Sequence, residues 1–449
     1  MSLQDAIDQA ENPLEFIRAN NFDVRGAFAY PAEYTNWRDE QRAWAETAVL
    51  FNQSFHMEDV FISGPDMLRL LSDTSVNSFA NFRPGIAKQF IAVNEEGQLF
   101  GDAILVALSD SEVNIVGREW ALNWLRYQAE KGDYDVTIET EPAIRGAGGS
   151  KRLYRYEVEG PNAEKILQKA SGEDFPHIKF FNTGILNIAG HEVWALNHTM
   201  GGVPGQEFSG YEIFGPTEDE DDVINAILAA GEEHGLLRGG ARAYLSAGIE
   251  SGWMGATGVP AVYASESLKE YREWLPAFTI EAVSVGVASG SYDPATVEGY
   301  FCNPWDHGFG HVVKFDHDFI GRKALEELAK NPPRQKVWLV WNPEDTERIV
   351  VQSELDHPNA PKILPFPSDV GHDQILIGDR PVGVTAFHGY TVNLGGWASL
   401  ASVNTADAVD GTEVEILWGD RDGGARNPLV PMHTQTRIRA RVSVKSPIA

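Results

Sequence analysis

Along this chain, polar and apolar residues alternate in short runs that give way, at glycine–proline pairs, to helical spacing. The first such unit is DVFISGPDMLRLL at 59–71, the second RYEVEGPNAEKIL at 155–167 and the third GYEIFGPTEDEDDVINAIL at 210–228. Period-two alternation predicts a strand in each, and Gly64, Gly160 and Gly215 supply the backbone freedom a turn needs. Pro65, Pro161 and Pro216 are expected in the first helical turn, where a missing N–H is harmless. The acids behind them (Asp66, Glu164, Glu218 to Asp222) suit the positive end of a helix dipole, so EDEDD at 218–222 reads as a solvated helix start and not as a metal site. Repeated strand–turn–helix units predict ferredoxin-like α/β modules.

The pattern then changes. Residues 230–330 are irregular and rich in aromatics, closing on a helix that begins near Gly321. NPPRQ at 331–335 reads as a linker. Beyond it KVWLVW, DQILIG, PVGVTAF, TEVEILWG and RIRARVSV predict short strands, and hence a compact β-barrel or Greek-key domain over 335–449.

Composition narrows the function classes. The 449 residues, 43% hydrophobic and 10% aromatic, describe a folded chain of several domains. With 65 acidic residues against 36 Lys+Arg, the net charge of −29 argues against a nucleic-acid partner. A single cysteine, Cys302, excludes an intramolecular disulfide or a cysteine metal cluster and suits a reducing compartment. The first thirty residues show no basic-then-apolar leader, and no run of about 18 apolar residues occurs, which predicts a soluble cytoplasmic protein without a membrane partner. No Walker loop, HExxH helix or GxSxG elbow is present, and GAGGS at 146–150 lacks phosphate-loop spacing. Asp316-His317-Asp318 reads as a charged approach to a helix and Cys302 as a small enclosed residue, so no metal is expected.

Three segments, VKFDHDFIGRKALEELA (313–329), GGVPGQEFSGYEIFGP (201–216) and ARAYLSAGIESGW (241–253), resemble the glycine-cleavage T-protein (aminomethyltransferase) family of tetrahydrofolate-dependent enzymes. YTNWRDEQRAW (34–44), FNQSFHMEDVFI (51–62), VGREWALNW (116–124) and LKEYREWLPA (268–277) are similar to one branch, the tetrahydrofolate-dependent aromatic O-demethylases acting on vanillate, 3-O-methylgallate or syringate in lignin catabolism. The resemblance implies an α+β, three-lobed fold with ferredoxin-like modules around a central folate channel. It implies that residues 1–330 form the folate-binding and catalytic region, two intertwined α/β lobes, and 335–449 the C-terminal β-barrel. Two departures narrow the role. Gly101-Asp102 stands where the T-protein proper has two aspartates, which argues against aminomethyl transfer. Gly205-Gln206-Glu207 lacks the nearby cysteine of the iron–sulfur assembly relatives.

The resemblance implies tetrahydrofolate as cofactor, its pterin held by Glu212, whose two oxygens suit adjacent N–H donors. Gln89 and Tyr211 are expected to line the same channel. Tyr244 matches the branch's catalytic tyrosine and Tyr30 a second tyrosine near the substrate, leaving open which one donates directly. An aryl methyl ether leaves as a phenolate, so alignment (up to about 7–11 kcal/mol) and protonation of the departing oxygen (about 10²–10⁴-fold) must be supplied. A tyrosine with a pKa of about 10 is close to a phenol in acidity. Arg118 pairs either with a substrate carboxylate or with an acid such as Glu119. His56 either bonds the substrate or completes a turn, while Trp253 stacks on the ring and the aromatics of YREWLPAF exclude water. The implied partner is a methoxylated aromatic acid, with oligomeric state open. Two other functions compete: folate-dependent S-demethylation of a sulfonium such as dimethylsulfoniopropionate, disfavoured by positive charge at Arg118 and His56, and a non-catalytic folate-binding regulator.

Overall fold

The structure, a computed structural model, describes residues 31–143, 150–172, 175–198, 210–255, 259, 261–263, 266–277, 289–355, 359–424 and 430–448. Helix α1 (Trp37–Glu46) precedes the strands β1 (Ala48–Asn52) and β2 (Glu58–Ser63), followed by α2 (Met67–Thr74). Then come β3 (Ala87–Val93), β4 (Leu99–Ala107), β5 (Glu112–Gly117), α3 (Glu119–Lys131) and β6 (Thr137–Glu141). The second half of the α/β body is β7 (Leu153–Glu159), α4 (Ala163–Ser171), β8 (Thr183–Ile188), β9 (His191–Asn197), β10 (Tyr211–Pro216), α5 (Glu220–Gly231), β11 (Leu236–Gly239) and α6 (Ala241–Ser251). One sheet is antiparallel in the order β3-β4-β5-β2-β6; the other runs β11-β1-β7-β10-β9-β8, with β1 and β11 parallel.

The first two glycine–proline units are copies of one device. Gly64 (φ +118°) and Gly160 (φ +120°) occupy backbone closed to residues with a Cβ, and a Cβ there would lie 2.5 Å from Asp135 O and 2.7 Å from Thr47 O respectively. Met67 N–H and Ala163 N–H bond back to the carbonyls of Gly64 and Gly160 at 3.2 and 3.0 Å, closing a β-turn with proline at its second position. Pro65 and Pro161 therefore lie just ahead of the helix caps Asp66 and Asn162 and not inside the helices. The third unit departs further. Its strand runs through Gly215 and Pro216, and a 3₁₀ turn, Thr217–Asp219, leads into α5.

Each sheet has one face under helices. Leu70, Leu71, Leu122 and Leu125 cover Val60, Ile62, Phe90 and Ile115, while Ile166, Leu167, Val223 and Ile227 cover Tyr154, Tyr156, Val158 and Ile213. The remaining faces turn toward each other. Phe61, Val106, Leu153, Leu196 and Phe214 join them at one end. Further along the same strands the seam is polar but buried: Asp59, Asn114, Arg155, Glu157 and Glu212. Alternation along RYEVE thus separates a helix-facing side from a seam-facing side, and neither meets water.

After α6 come α7 (Lys269–Trp274) and α8 (Arg322–Leu328), then the barrel strands β12 (Arg334–Trp341), β13 (Ser368–Val370), β14 (Gln374–Ile377), β15 (Arg380–Thr391), β16 (Gly396–Asn404), β17 (Glu413–Trp418) and β18 (Thr436–Ser443). The order β15-β14-β17-β18-β12-β16 closes through β15–β16 pairing, with β13 added on β15; closure leaves the six strands no free edge. Val337, Leu339, Ile416, Trp418, Ile438 and Val442 fill the interior. The pattern had not disclosed α9 (Pro343–Leu355) or β16, whose run of Ala and Ser carries little strand signal.

Helix α6 links the lobes to the barrel. Trp338 Nε1 donates to Ile249 O at 2.8 Å and Lys336 Nζ to Gly252 O at 2.6 Å. The buried Glu250 carboxylate accepts from Trp44 Nε1 on α1 at 2.6 Å, from Asn393 Nδ2 at 3.0 Å and from Thr391 Oγ1. No helix among the described residues is long and apolar enough to cross a membrane.

Candidate functional site

Tyr244 and Gly248, one helical turn apart on α6, face a cavity of about 180 Å³ at the polar end of the seam. His56, Asp102, Arg118, Glu212 and Trp253 line it from the two lobes, and Val370 and Phe387 from the barrel. A register shift in β15 between Thr385 and Phe387 marks an irregularity of the kind that re-aims a side chain, and Phe387 here reaches α6 at Gly248.

Tyr244 Oη lies 2.9 Å from His56 Nε2, the rings meeting edge to face. Burial, with Arg118 and Lys151 nearby, pushes His56 down to about 3, so the imidazole is neutral at any ordinary pH. Burial also raises the Tyr244 phenol above its ordinary value, Glu157 and Glu212 adding to this while Arg118 opposes it. Tyr244 is therefore a weaker acid than a free tyrosine, not the matched phenol its reference value suggests. The neutral His56 contributes no positive charge, which leaves Arg118 as the cation lining the cavity among the described residues: it is the exposed N-cap residue of α3, at the rim.

Across the cavity Trp253 Nε1 donates to Asp102 Oδ2 at 3.0 Å. Burial raises the Asp102 carboxyl to about 6, partly offset by the Trp253 bond and a second from Gln89. Arg155 donates to Glu212 Oε1 and, at 2.7 Å, to Asn114 Oδ1. Asn114 in turn reaches Asp59 at 3.2 Å, and Asp59 accepts from Lys151 at 2.6 Å, so Arg155 with Glu212 and Lys151 with Asp59 form opposed buried pairs.

Tyr244, His56, Arg118, Trp253 and Glu212 thus converge on one cavity. Gln89 stands behind Asp102. Tyr211 is on the opposite face of β10 from Glu212 and donates to Glu164 Oε2 at 2.9 Å among the helices, so it does not line the cavity. Tyr30 lies outside the described residues. Trp274 of YREWLPAF does not wall the site either: it packs with Tyr271, Trp124 and Tyr127 behind the five-stranded sheet, and Phe278 lies outside the described residues. Asp102 was visible in the sequence only as a departure from a motif, and Phe387 and Val370 carried no sequence signal because the barrel's docking decides their place. The Cys302 thiol is pushed up to about 12 by burial and Asp306, the wrong direction for a nucleophile.

The carboxylates of Glu212 and Asp102 suit the amino and amide N–H groups of a pterin, so this donor set fits a reduced folate. A polar seam of this kind, inside paired α/β lobes and against a barrel, with a donor set that fits a reduced folate, is the arrangement of a one-carbon transferase. The chain belongs to the glycine-cleavage T-protein family: residues 14–257, over half of it, match the GCVT N-terminal domain. Over 449 residues it is 42% identical to a syringate O-demethylase of Sphingobium sp. strain SYK-6, covering 98% of this chain and 95% of that one. It is 26% identical to a sesamin methylene transferase of Sinomonas sp. strain No.22, covering 90% and 89%. In fold it is similar to the glycine cleavage system aminomethyltransferase T from Bartonella henselae, with a TM-score of 0.61 at 17% identity over 96% of this chain and 95% of that one. The chain is a tetrahydrofolate-dependent transferase with the α+β lobes and C-terminal barrel of that family.

Proposed function

We propose that this protein removes the methyl group of a methoxylated aromatic acid and transfers it to N5 of tetrahydrofolate, releasing a phenol. The observation that carries this reading is the buried Tyr244–His56 pair beside a cavity whose rim holds Arg118. Likeness to the syringate O-demethylase supports it.

Tetrahydrofolate supplies the amine that takes up the methyl group. Glu212 holds the pterin, with Arg155 fixing the orientation of its carboxylate, and Gln89 sets Asp102. Arg118 binds the substrate carboxylate as a bidentate pair, which leaves the ring between Trp253 and Phe387. Tyr244 is the proton donor to the departing oxygen. Its raised pKa keeps it protonated until negative charge accumulates on that oxygen, and Arg118 then offsets the phenolate left behind. His56, neutral throughout, accepts the tyrosine O–H at Nε2 and so holds the donor in place; the proton that the methyl-accepting amine would give up restores the tyrosine after it has protonated the departing oxygen. Tyr30 joins this relay as a second tyrosine. The arginine at the rim disfavours a cationic sulfonium and a neutral lignan alike.

The test is production of 5-methyltetrahydrofolate from tetrahydrofolate and a panel of methoxybenzoates, syringate and vanillate included, followed by mass spectrometry. Turnover with at least one acid is expected; no product from any of them overturns the reading. A sulfonium substrate would need no acid and be indifferent to Tyr244→Phe, and a regulator would bind folate without transferring a methyl group to or from anything.

A further inference from the structure

Helix α6 carries Tyr244 and ends two residues before Trp253, yet its own two charges oppose its dipole: Arg242 stands in the first turn and Glu250 in the last. Groups from two other elements supply the right signs. At the N-terminus the buried Glu40 carboxylate of α1 accepts from Gly240 N–H at 2.8 Å, and also from Tyr34 N–H at 2.7 Å and Thr35 N–H at 2.9 Å. At the C-terminus the Lys336 ammonium of β12 donates to Gly252 O at 2.6 Å. Gly252 is the C-cap, left-handed at φ +73°, where a Cβ would run into the Trp338 ring, so barrel and helix end meet without slack. The peptide unit that Lys336 holds is the one from which Trp253 hangs, and Trp253 Nε1 donates to Asp102 in the cavity wall at 3.0 Å.

Lys336 is partly buried, its ammonium 4.9 Å from the Trp338 ring centroid, and no carboxylate among the described residues pairs with it. Around it, Asp306 is engaged by Arg334 at 2.9 and 3.0 Å, and His307 is neutral, pushed down to about 3 by burial, Lys336 and Arg334. Glu250 on α6 turns to Trp44 and Asn393. Burial lowers the lysine to about 8, so the fold disfavours its charged form and loses stability at neutral pH by holding it there. We propose that Lys336 is a positioning residue: its bond to the C-cap carbonyl of α6 sets Trp253 on Asp102, and with Glu40 at the other end it fixes the helix that presents Tyr244. The inference rests on the proposed placing of the pterin against Asp102 and not on the aromatic substrate.

Calorimetric titration of the full chain with tetrahydrofolate tests this without reference to turnover. Lys336→Met is expected to bind about tenfold more weakly with its melting temperature held or raised, while Lys336→Arg, still charged, binds within about twofold of the unaltered protein. Trp253→Phe cannot donate to Asp102 and should also lose about tenfold; adding Lys336→Met to it should lose less than about twofold more, since both act through one bond. Between about pH 7 and about pH 9.5 Lys336 gives up its charge while Asp102 keeps its own. Across that window affinity should fall about threefold in the unaltered protein and stay level in Lys336→Arg. Unchanged affinity in Lys336→Met, a loss that follows a lower melting temperature and is not restored by arginine, or losses that multiply in the double variant each overturn the inference and leave the placing of the pterin standing. If neither Trp253→Phe nor Asp102→Asn weakens binding, the pterin does not meet that carboxylate and both readings fall together; failure of the aromatic demethylation alone leaves these titrations unaffected.

Discussion

Two buried titratable groups determine how the site behaves with pH. Asp102 has a carboxyl near 6, above the unfolded value of about 4, so the folded chain retains its proton longer. Its contribution to stability is full below about pH 4 and lost as pH rises through 6, roughly 3 kcal/mol across that window. Asp102→Asn, which keeps the shape, should therefore stabilise the protein by up to about 3 kcal/mol at pH 8 and by nearly nothing at pH 4, as read by urea unfolding at both pH values. His56 works in the opposite sense. Its folded value near 3 lies below the ordinary one, so the stability tied to its neutral form is present above about pH 6.5 and lost as pH falls toward 3; His56→Gln should flatten the acid side of the stability curve. For Tyr244, replacement by Phe removes one hydroxyl from a cavity the ring still fills. A fall in kcat of about 10²-fold or more, with folate affinity retained by calorimetry, is the outcome expected of a proton donor; unchanged kcat would remove Tyr244 from that role.

At the scale of elements, each of the first two glycine–proline turns packs within its own lobe, Gly64 against Asp135 and Gly160 against Thr47. A methyl group at Gly64 or Gly160 meets backbone at 2.5 or 2.7 Å, and no rotamer change relieves such a contact. Gly64→Ala and Gly160→Ala should each cost about 2 kcal/mol or more in chemical denaturation, whereas Gly172→Ala, at a helix end with open space around it, should cost about 1 kcal/mol. These strand-to-helix turns were legible in the sequence because the turn chemistry is local: a positive φ needs glycine, and proline favours the next turn position. The orientation of the strands was not legible. Alternation shows that Glu212 and Tyr211 point opposite ways, but only the packing of α4 and α5 on one face decides that Tyr211 goes to the helices and Glu212 to the seam.

For the whole molecule, the barrel is part of the site and not an appendage to it. Phe387 reaches the cavity from β15, where a Cβ on Gly248 would lie 3.3 Å from its ring. Phe387→Ala should raise KM for the aromatic acid about tenfold while leaving folate binding and the melting profile of the barrel intact, separating the substrate wall from structural support. The net charge also takes its meaning at this scale. In a chain of net charge −29, Arg118 is a local cation lining the cavity, which is where an anionic substrate would need one. The sequence by itself determined the glycine–proline turns and the family, and through that resemblance it pointed to Tyr244, His56, Arg118 and Glu212, since turn chemistry is local and family motifs survive in the order of residues. Only the tertiary structure decided that His56 is neutral, that Tyr244 is a weaker acid than a free phenol, that Asp102 belongs to the site and that the barrel supplies a wall. Burial and the approach of charges distant along the chain set those properties, and neither has a signature in any single segment.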